Sequence, residues 1–301
     1  MDLNKDAQID TSQIEDRRGQ GGAGLGGMPI PLPSGRGGWI VTILALIIAL
    51  AGGGVLGGNM LGDGGDGGDL KEKCAASNPN RLDEVDCRNA LYINSIQDYW
   101  QDALPQRLGR QYQQARTVYF SQAVNTGCGQ ADSSVGPFYC PPDGKVYIDL
   151  TFYDELTGRF GAKGVFAQAY VLAHEYGHHV QNLLGTNADV RRSQERDPSA
   201  ANELSVRLEL QADCYAGVWA KHATQTADAS GRPLINNLSQ EDIDSALSAA
   251  AAVGDDTIQK KTTGRVDESQ FTHGTAEQRQ RWFTTGYGGD PRACDTFSGA
   301  V

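Results

Sequence analysis

Residues 171–181 read VLAHEYGHHVQ, in which His174, Glu175 and His178 make the pattern H-E-x-x-H. Residues four apart on a helix stand one turn above each other on one face, so imidazoles at 174 and 178 can share one metal ion. Glu175, next to the first of them, can reach a water held by that ion without ligating it. The chemistry this implies is hydrolysis by a zinc-activated water. Glu175 takes the proton as general base, the hydroxide attacks a carbonyl, and Glu175 passes the proton to the leaving amine. Two histidines leave a zinc site one protein ligand short. In ELQADC, Glu209 and Asp213 are again four apart. Glu209 is the candidate third ligand. Asp213 is the candidate acceptor for the second ring N–H of a ligand histidine, fixing its tautomer. Glu203 competes with Glu209 but has no acidic partner at that spacing. Further on, in FTHGTAEQRQRWF, His273 could donate to the oxyanion that forms at the attacked carbonyl. Arg279 could orient His273 or bind a substrate carboxylate. The competing reading of this segment is a helix start capped by Thr272, with Glu277 and Arg279 in solvent. His179, turned about 100° from His178 around a helix, and His222 read as structural.

These residues need elements to hold them. Val165, Phe166, Ala169, Val171, Leu172 and Ala173 give the 174 motif an apolar approach, so a helix over 161–184 is expected in the core, with Gly185 as its stop. Two histidines and a glutamate on such a helix need compensation, which a metal supplies. Helices are also expected over 200–223 and 241–253, and over 88–114 with a break at Pro105. Ala212, Ala216 and Val218 mark a tightly packed surface beside Glu209. Residues 118–124 and the alternating run 146–152 read as strands, the latter as an edge strand open to an extended peptide. Mostly helices, with a few strands on the N-terminal side of the core, make an α+β fold.

The chain has 301 residues and a net charge of −11, from 37 acidic and 26 basic side chains. That balance excludes a nucleic-acid binder, which needs a basic face, and a polybasic membrane anchor. The glycines divide the chain unevenly, with half of the 38 falling in residues 19–68. Residues 1–38 are expected to be a disordered Gly-rich segment, 39–61 a transmembrane anchor, 62–69 a Gly/Asp linker and 70–301 the metallopeptidase domain. The anchor begins WIVTILALIIALAGGGVL, uncharged and near the lower length limit for a span. A cleaved signal peptide is its rival, with Ala49-Leu50-Ala51 at cleavage spacing, but 38 residues before the apolar run make a long leader. Lys5, Arg17, Arg18 and Arg36 precede the run and Lys71 and Lys73 follow it, which favours a cytoplasmic N-terminus. All six cysteines lie after it. An even number there reads as three disulfides in an extracytoplasmic domain, and no C-x-x-C pair supports a structural zinc site. Short loops suggest Cys74–Cys87 and Cys128–Cys140, leaving Cys214–Cys294.

Together these pieces resemble the neutral zinc metallopeptidases of bacterial membranes, the YpfJ-like family. The resemblance rests on the Gly-rich anchor, GPFYCPPDGKVYID at 136–149, the His174 motif, residues 209–214 and residues 273–279. It spans nearly the whole chain, and implies a zincin fold, a Zn2+ cofactor and peptide hydrolysis. The Thr-His-x5-Arg element is also similar to membrane metallopeptidases of the HtpX type, although Gly274 stands where those have Pro. The expected activity is therefore a single-pass, membrane-anchored extracytoplasmic zinc endopeptidase acting on peptides or proteins. The ligands would be His174, His178 and Glu209, with Glu175 and His273 catalytic and Asp213 and Arg279 supporting them. Two alternatives are a zinc amidase acting on cell-wall peptides and a binding protein that zinc merely stabilises.

Overall fold

A computed structural model describes residues 1–19 and 67–301. The chain opens with two short strands, β1 (Asp2–Leu3) and β2 (Ile14–Asp16). From residue 67 the order is α1 (Gly67–Lys73), α2 (Val85–Ala103), β3 (Thr117–Phe120), β4 (Ala123–Thr126), β5 (Gly129–Asp132), β6 (Phe138–Cys140) and β7 (Lys145–Asp149). Then come α3 (Phe152–Gly158), α4 (Phe166–Leu184), α5 (Thr186–Arg196), α6 (Ala201–His222), β8 (Ile235–Asn237), α7 (Gln240–Ala252), α8 (Asp255–Thr263) and α9 (Ala276–Gly286). The mixture is α+β, dominated by helices, as the periodicities imply.

A mixed sheet of order β2-β3-β7-β6 lies along α4. β2, β3 and β7 run parallel, and β6 is antiparallel to β7. The expected edge strand at 146–152 is corrected in two respects. It ends at Asp149, where α3 soon takes over, and it is interior, flanked by β3 and β6. Val146, Tyr147, Ile148 and Asp149 are accordingly all buried. The edges of this sheet are β2 and β6. A β4–β5 hairpin packs Val124 and Ala131 into a small second core with Val118, Phe120, Phe138 and Tyr147. The main core surrounds α4, which packs on α2, α6 and α7. In α2, Leu91, Ile96 and Trp100 are buried, and the wide helical turn that follows, from the buried Leu104 through Pro105, is closed by Gly109 at φ 69°. Gly185, at φ 89°, ends α4 as expected.

The three disulfides are those the loop lengths suggested: Cys74–Cys87, Cys128–Cys140 and Cys214–Cys294. Among the described residues no cysteine is free.

The N-terminal expectation is overturned. Residues 1–18 are not a disordered tail. β1 pairs with β8, and β2 pairs with β3 in the register Ile14–Thr117 to Asp16–Tyr119. Arg81, buried and facing carbonyls rather than a carboxylate, donates to the backbone oxygens of Lys5, Ala7 and Cys74. Asp86, also buried, takes Arg18 and Lys73 at 3.0 Å each. It thus ties together the chain just before and just after residues 20–66. The expected span at 39–61 lies outside the described residues. Among those described, no helix is long and apolar enough to cross a membrane. One crossing at 39–61 would put residues 1–18 and 67–301 on opposite faces of a bilayer, whereas β2 and β3 share a sheet. The single-pass topology, with a cytoplasmic N-terminus and an extracytoplasmic body, is therefore withdrawn, and membrane anchoring has no support in the described structure.

Candidate metal site

The site forms where α4 crosses α6. Gly177, inside the H-E-x-x-H pattern, lies against Ala212, which sits between Glu209 and Asp213. A Cβ on Gly177 would stand 2.8 Å from the Ala212 carbonyl oxygen. Glycine at this point lets the helices approach backbone to backbone, and that approach puts Glu209 in reach of both histidines. A second close crossing, between α6 and α9, sets Gly217 against the Phe283 carbonyl and Gly286 against the Cys214 carbonyl. It delivers Arg279 to the back of the site.

His174 Nε2 lies 3.2 Å from Glu209 Oε2, and His178 Nε2 lies 3.3 Å from Glu209 Oε1. One ligand atom from each of the three residues falls within 4.8 Å of the others. The two rings meet edge to face, at an interplanar angle of 88°. Behind them the Nδ1 atoms are committed. His174 Nδ1 faces Asp213 Oδ1 at 2.8 Å, and a carboxylate can only accept, so Nδ1 carries the hydrogen. His178 Nδ1 faces Gln181 Oε1 at 2.8 Å. Both Nε2 atoms are thereby left facing the Glu209 carboxylate. Atoms of this kind converge on a common cation, either a proton or a metal ion. Two imidazole nitrogens and one carboxylate, all on rigid helices, match the three-ligand donor set of a catalytic zinc site with an open fourth position. The residues present fit zinc.

The charges around the site are balanced by burial and pairing. Asp213, wholly buried, accepts from Tyr170 Oη and from Arg279 Nε and Nη2 as well as from His174. Burial alone would raise its carboxyl pKa, but Arg279 and His174 hold it below the usual range. Glu209 is held well below its ordinary value against the same burial, by His178 and His174. Burial disfavours the His174 imidazolium, yet Asp213 and Glu209 overcome it and push its pKa up to about 10. Unlike the carboxyls of Glu209 and Asp213, that of Glu175 is shifted upward: burial raises its pKa, opposed by the two histidines and by a hydrogen bond from the Tyr139 backbone on β6.

His273 is brought to the same place from the start of α9. Its Nδ1 is held by Asp255 Oδ1 at 3.2 Å and by Thr272 Oγ1 at 3.1 Å, while Nε2 has no hydrogen-bond partner among the described residues. It stands close enough to Glu209 for each to shift the other's titration, and its pKa is raised by Asp255 and Glu209 against its burial. Asp255 Oδ2 also collects the backbone N–H groups of Thr272, His273 and Gly274. The expected cap at Thr272 is replaced by Thr275, which forms a capping box with Gln278. Arg279 is buried on Asp213 rather than solvated, and does not touch His273. Glu203 is exposed and pairs with Arg207, away from the site. His179 binds Tyr139 Oη and the Gln113 carbonyl, and His222 binds the Gly289 carbonyl, so both are structural.

Tyr170, Gln181 and Asp255 were not singled out from the sequence. Tyr170 lies one turn before His174 and Gln181 three residues after His178, so helical spacing marks both positions. They escaped notice because neutral residues on a helix flank carry no charge pattern. Asp255 is far from His273 in sequence, and no spacing rule links them.

A family model described as "Putative neutral zinc metallopeptidase" matches residues 3–297. Its range takes in β2 and the last residue of β1. The "Uncharacterized protein YpfJ" of Escherichia coli K12 is 41% identical over 298 residues, covering 97% of this chain and 98% of its own. The "Uncharacterized protein Rv2575" of Mycobacterium tuberculosis H37Rv is 50% identical over 237 residues, 78% of this chain and 77% of its own. No solved structure matches the chain. The chain belongs to this zinc metallopeptidase family.

Proposed function

We propose that this member of the neutral zinc metallopeptidase family hydrolyses peptide bonds, with zinc held by His174, His178 and Glu209. The observation that carries the reading is the convergence of two imidazole Nε2 atoms on one carboxylate, with both Nδ1 hydrogens already committed behind them. When bound there, zinc supplies a Lewis acid that polarises the scissile carbonyl and makes a water acidic near neutral pH. Glu175, buried beside the ligands, removes the water's proton and delivers it to the leaving amine. Burial raises its carboxyl pKa, the direction that a group which takes and then returns a proton requires. His273 donates from Nε2 to the developing oxyanion, its ring aimed by Asp255 and Thr272. Asp213, neutralised by Arg279, aims His174.

The test is Glu175→Gln in the full chain. Zinc content, measured by elemental analysis, should stay at one per chain. Cleavage of a peptide library, read by mass spectrometry, should fall by at least roughly 100-fold. Near wild-type cleavage by this variant would refute the mechanism. Activity confined to a cell-wall digest would replace peptidase by amidase.

A further inference from the structure

The two ligand histidines are backed by different chemistry, and only the His174 side is charged. Behind His178 stand two buried amides, Gln181 and Gln211. Gln181 Nε2 lies 2.7 Å from the Leu208 carbonyl oxygen and 3.2 Å from Gln211 Oε1. Gln211 Nε2 lies 2.8 Å from the Cys294 carbonyl oxygen. A backbone carbonyl can only accept, so each of these two contacts fixes which end of its amide is nitrogen. With Gln181 Nε2 committed to Leu208, Gln181 Oε1 must be the atom facing His178 Nδ1, and that Nδ1 must carry the hydrogen. The direction of the whole chain is settled by two carbonyls: His178 Nδ1–H to Gln181, Gln181 to Gln211, Gln211 to Cys294.

We infer that Gln181 and Gln211 are positioning residues for the metal site, forming a directional amide relay that fixes the tautomer and aim of His178. The inference rests on the zinc reading above. The relay is anchored at both ends by elements of the site. Leu208, which Gln181 binds, immediately precedes the ligand Glu209, so one amide aims His178 and holds the backbone of its neighbouring ligand. Cys294, where the relay ends, is bridged to Cys214, next to Asp213. The disulfide therefore holds the terminal acceptor against the helix that carries Glu209 and Asp213. A neutral backing also suits this position. Glu175, Glu209 and Asp213 already bury three carboxyl groups at the site, so an uncharged acceptor behind His178 adds no further charge to be compensated.

The experiment compares the full-length wild type with Gln181→Met and Gln211→Met. Zinc affinity is measured by competition with a chromophoric chelator, and the visible spectrum of Co2+-loaded protein reports ligand geometry. Gln181→Met should weaken zinc binding roughly 10- to 100-fold and shift the Co2+ bands, the usual effect of losing a ligand's hydrogen-bond partner. Gln211→Met touches no ligand but should move both readouts in the same direction, and it carries the test if Gln181→Met does not fold. A purely structural role would lower the urea midpoint of the chelator-treated variants while leaving zinc affinity and the Co2+ spectrum at wild-type values. That result, for either variant, overturns the relay. A wild type that binds no zinc overturns the zinc reading and the relay with it. A wild type that binds zinc, with Gln181→Met equal to it, overturns the relay alone.

Discussion

Asp213→Asn probes the centre of the design, because Asp213 receives four hydrogen bonds in full burial: from His174 Nδ1, Tyr170 Oη, and Arg279 Nε and Nη2. Asparagine keeps the shape but loses the charge, and it turns an N–H2 group toward donors. Arg279 is then buried with only Glu209 Oε2, at 3.9 Å, as a carboxylate partner. Removing one member of a buried ion pair costs about 3–5 kcal/mol, and the distant Glu209 points to the lower end, about 3 kcal/mol. Urea unfolding of the chelator-treated chain at pH 7 measures this. The companion Arg279→Met should recover part of the loss in the double variant, since the unpaired charge is gone. The sign of the pH dependence follows from the lowered Asp213 pKa. Its contribution is complete above the unfolded value near 4 and is lost as pH falls through the folded value, so wild type and variant should converge in acid. Zinc affinity should drop roughly 10- to 100-fold as the acceptor behind His174 loses its charge. A loss below about 1 kcal/mol, or no recovery in the double variant, would refute the account of this network.

Two further outcomes separate the ligands from their surroundings. Glu209→Ala should lose most bound zinc, whereas Glu203→Ala, altering an exposed partner of Arg207, should retain it; elemental analysis of both decides the ligand assignment. Because Asp213 and Glu209 raise the His174 pKa to about 10, zinc must displace a proton at neutral pH. Apparent zinc affinity should therefore rise about tenfold per pH unit toward pH 10, and calorimetry in buffers of different ionisation enthalpy should show proton release. Affinity independent of pH between 7 and 9 would contradict this.

The parts of the site legible in the sequence were those with a period or a charge. H-E-x-x-H at 174–178 and the four-residue step from Glu209 to Asp213 each named a helix face, and the structure puts those faces together. Gly185 and the cysteine spacings served equally well for a helix end and three bridges. What composition hid was pairing between distant segments. β2 is three residues long and polar at two of them, Glu15 and Asp16, so nothing local marks it as a strand. Its place beside β3 is supported by residues about seventy positions away, among them Asp86 and Arg81. The same blindness made 146–152 an edge. Alternation along 146–152 names a strand but not its neighbours, and Asp149 is buried against Ser133 and Thr151.

Gly177→Ala tests whether the helix crossing itself builds the site. Ala212 and Ala216 pointed to a close approach on α6, but the matching small residue on α4 lay inside the motif, at a position where H-E-x-x-H specifies nothing. By helix propensity alone, alanine at 177 should stabilise the protein by about 0.8–1 kcal/mol. The structure predicts the opposite sign. The added methyl would meet the Ala212 carbonyl oxygen at 2.8 Å and its Cα at 3.0 Å, and these are backbone atoms that no rotamer change can move. Overpacking of this kind costs about 1–3 kcal/mol, enough to outweigh the propensity gain. Relief must come from separating α4 and α6, which carries His178 and Glu209 apart, so zinc affinity should fall together with stability. Urea unfolding of the chelator-treated variant gives the sign, and zinc competition on the same sample gives the geometry. A variant more stable than wild type, with zinc affinity unchanged, would mean that the helices do not meet at Gly177 and that the three ligand atoms are not held together by this crossing.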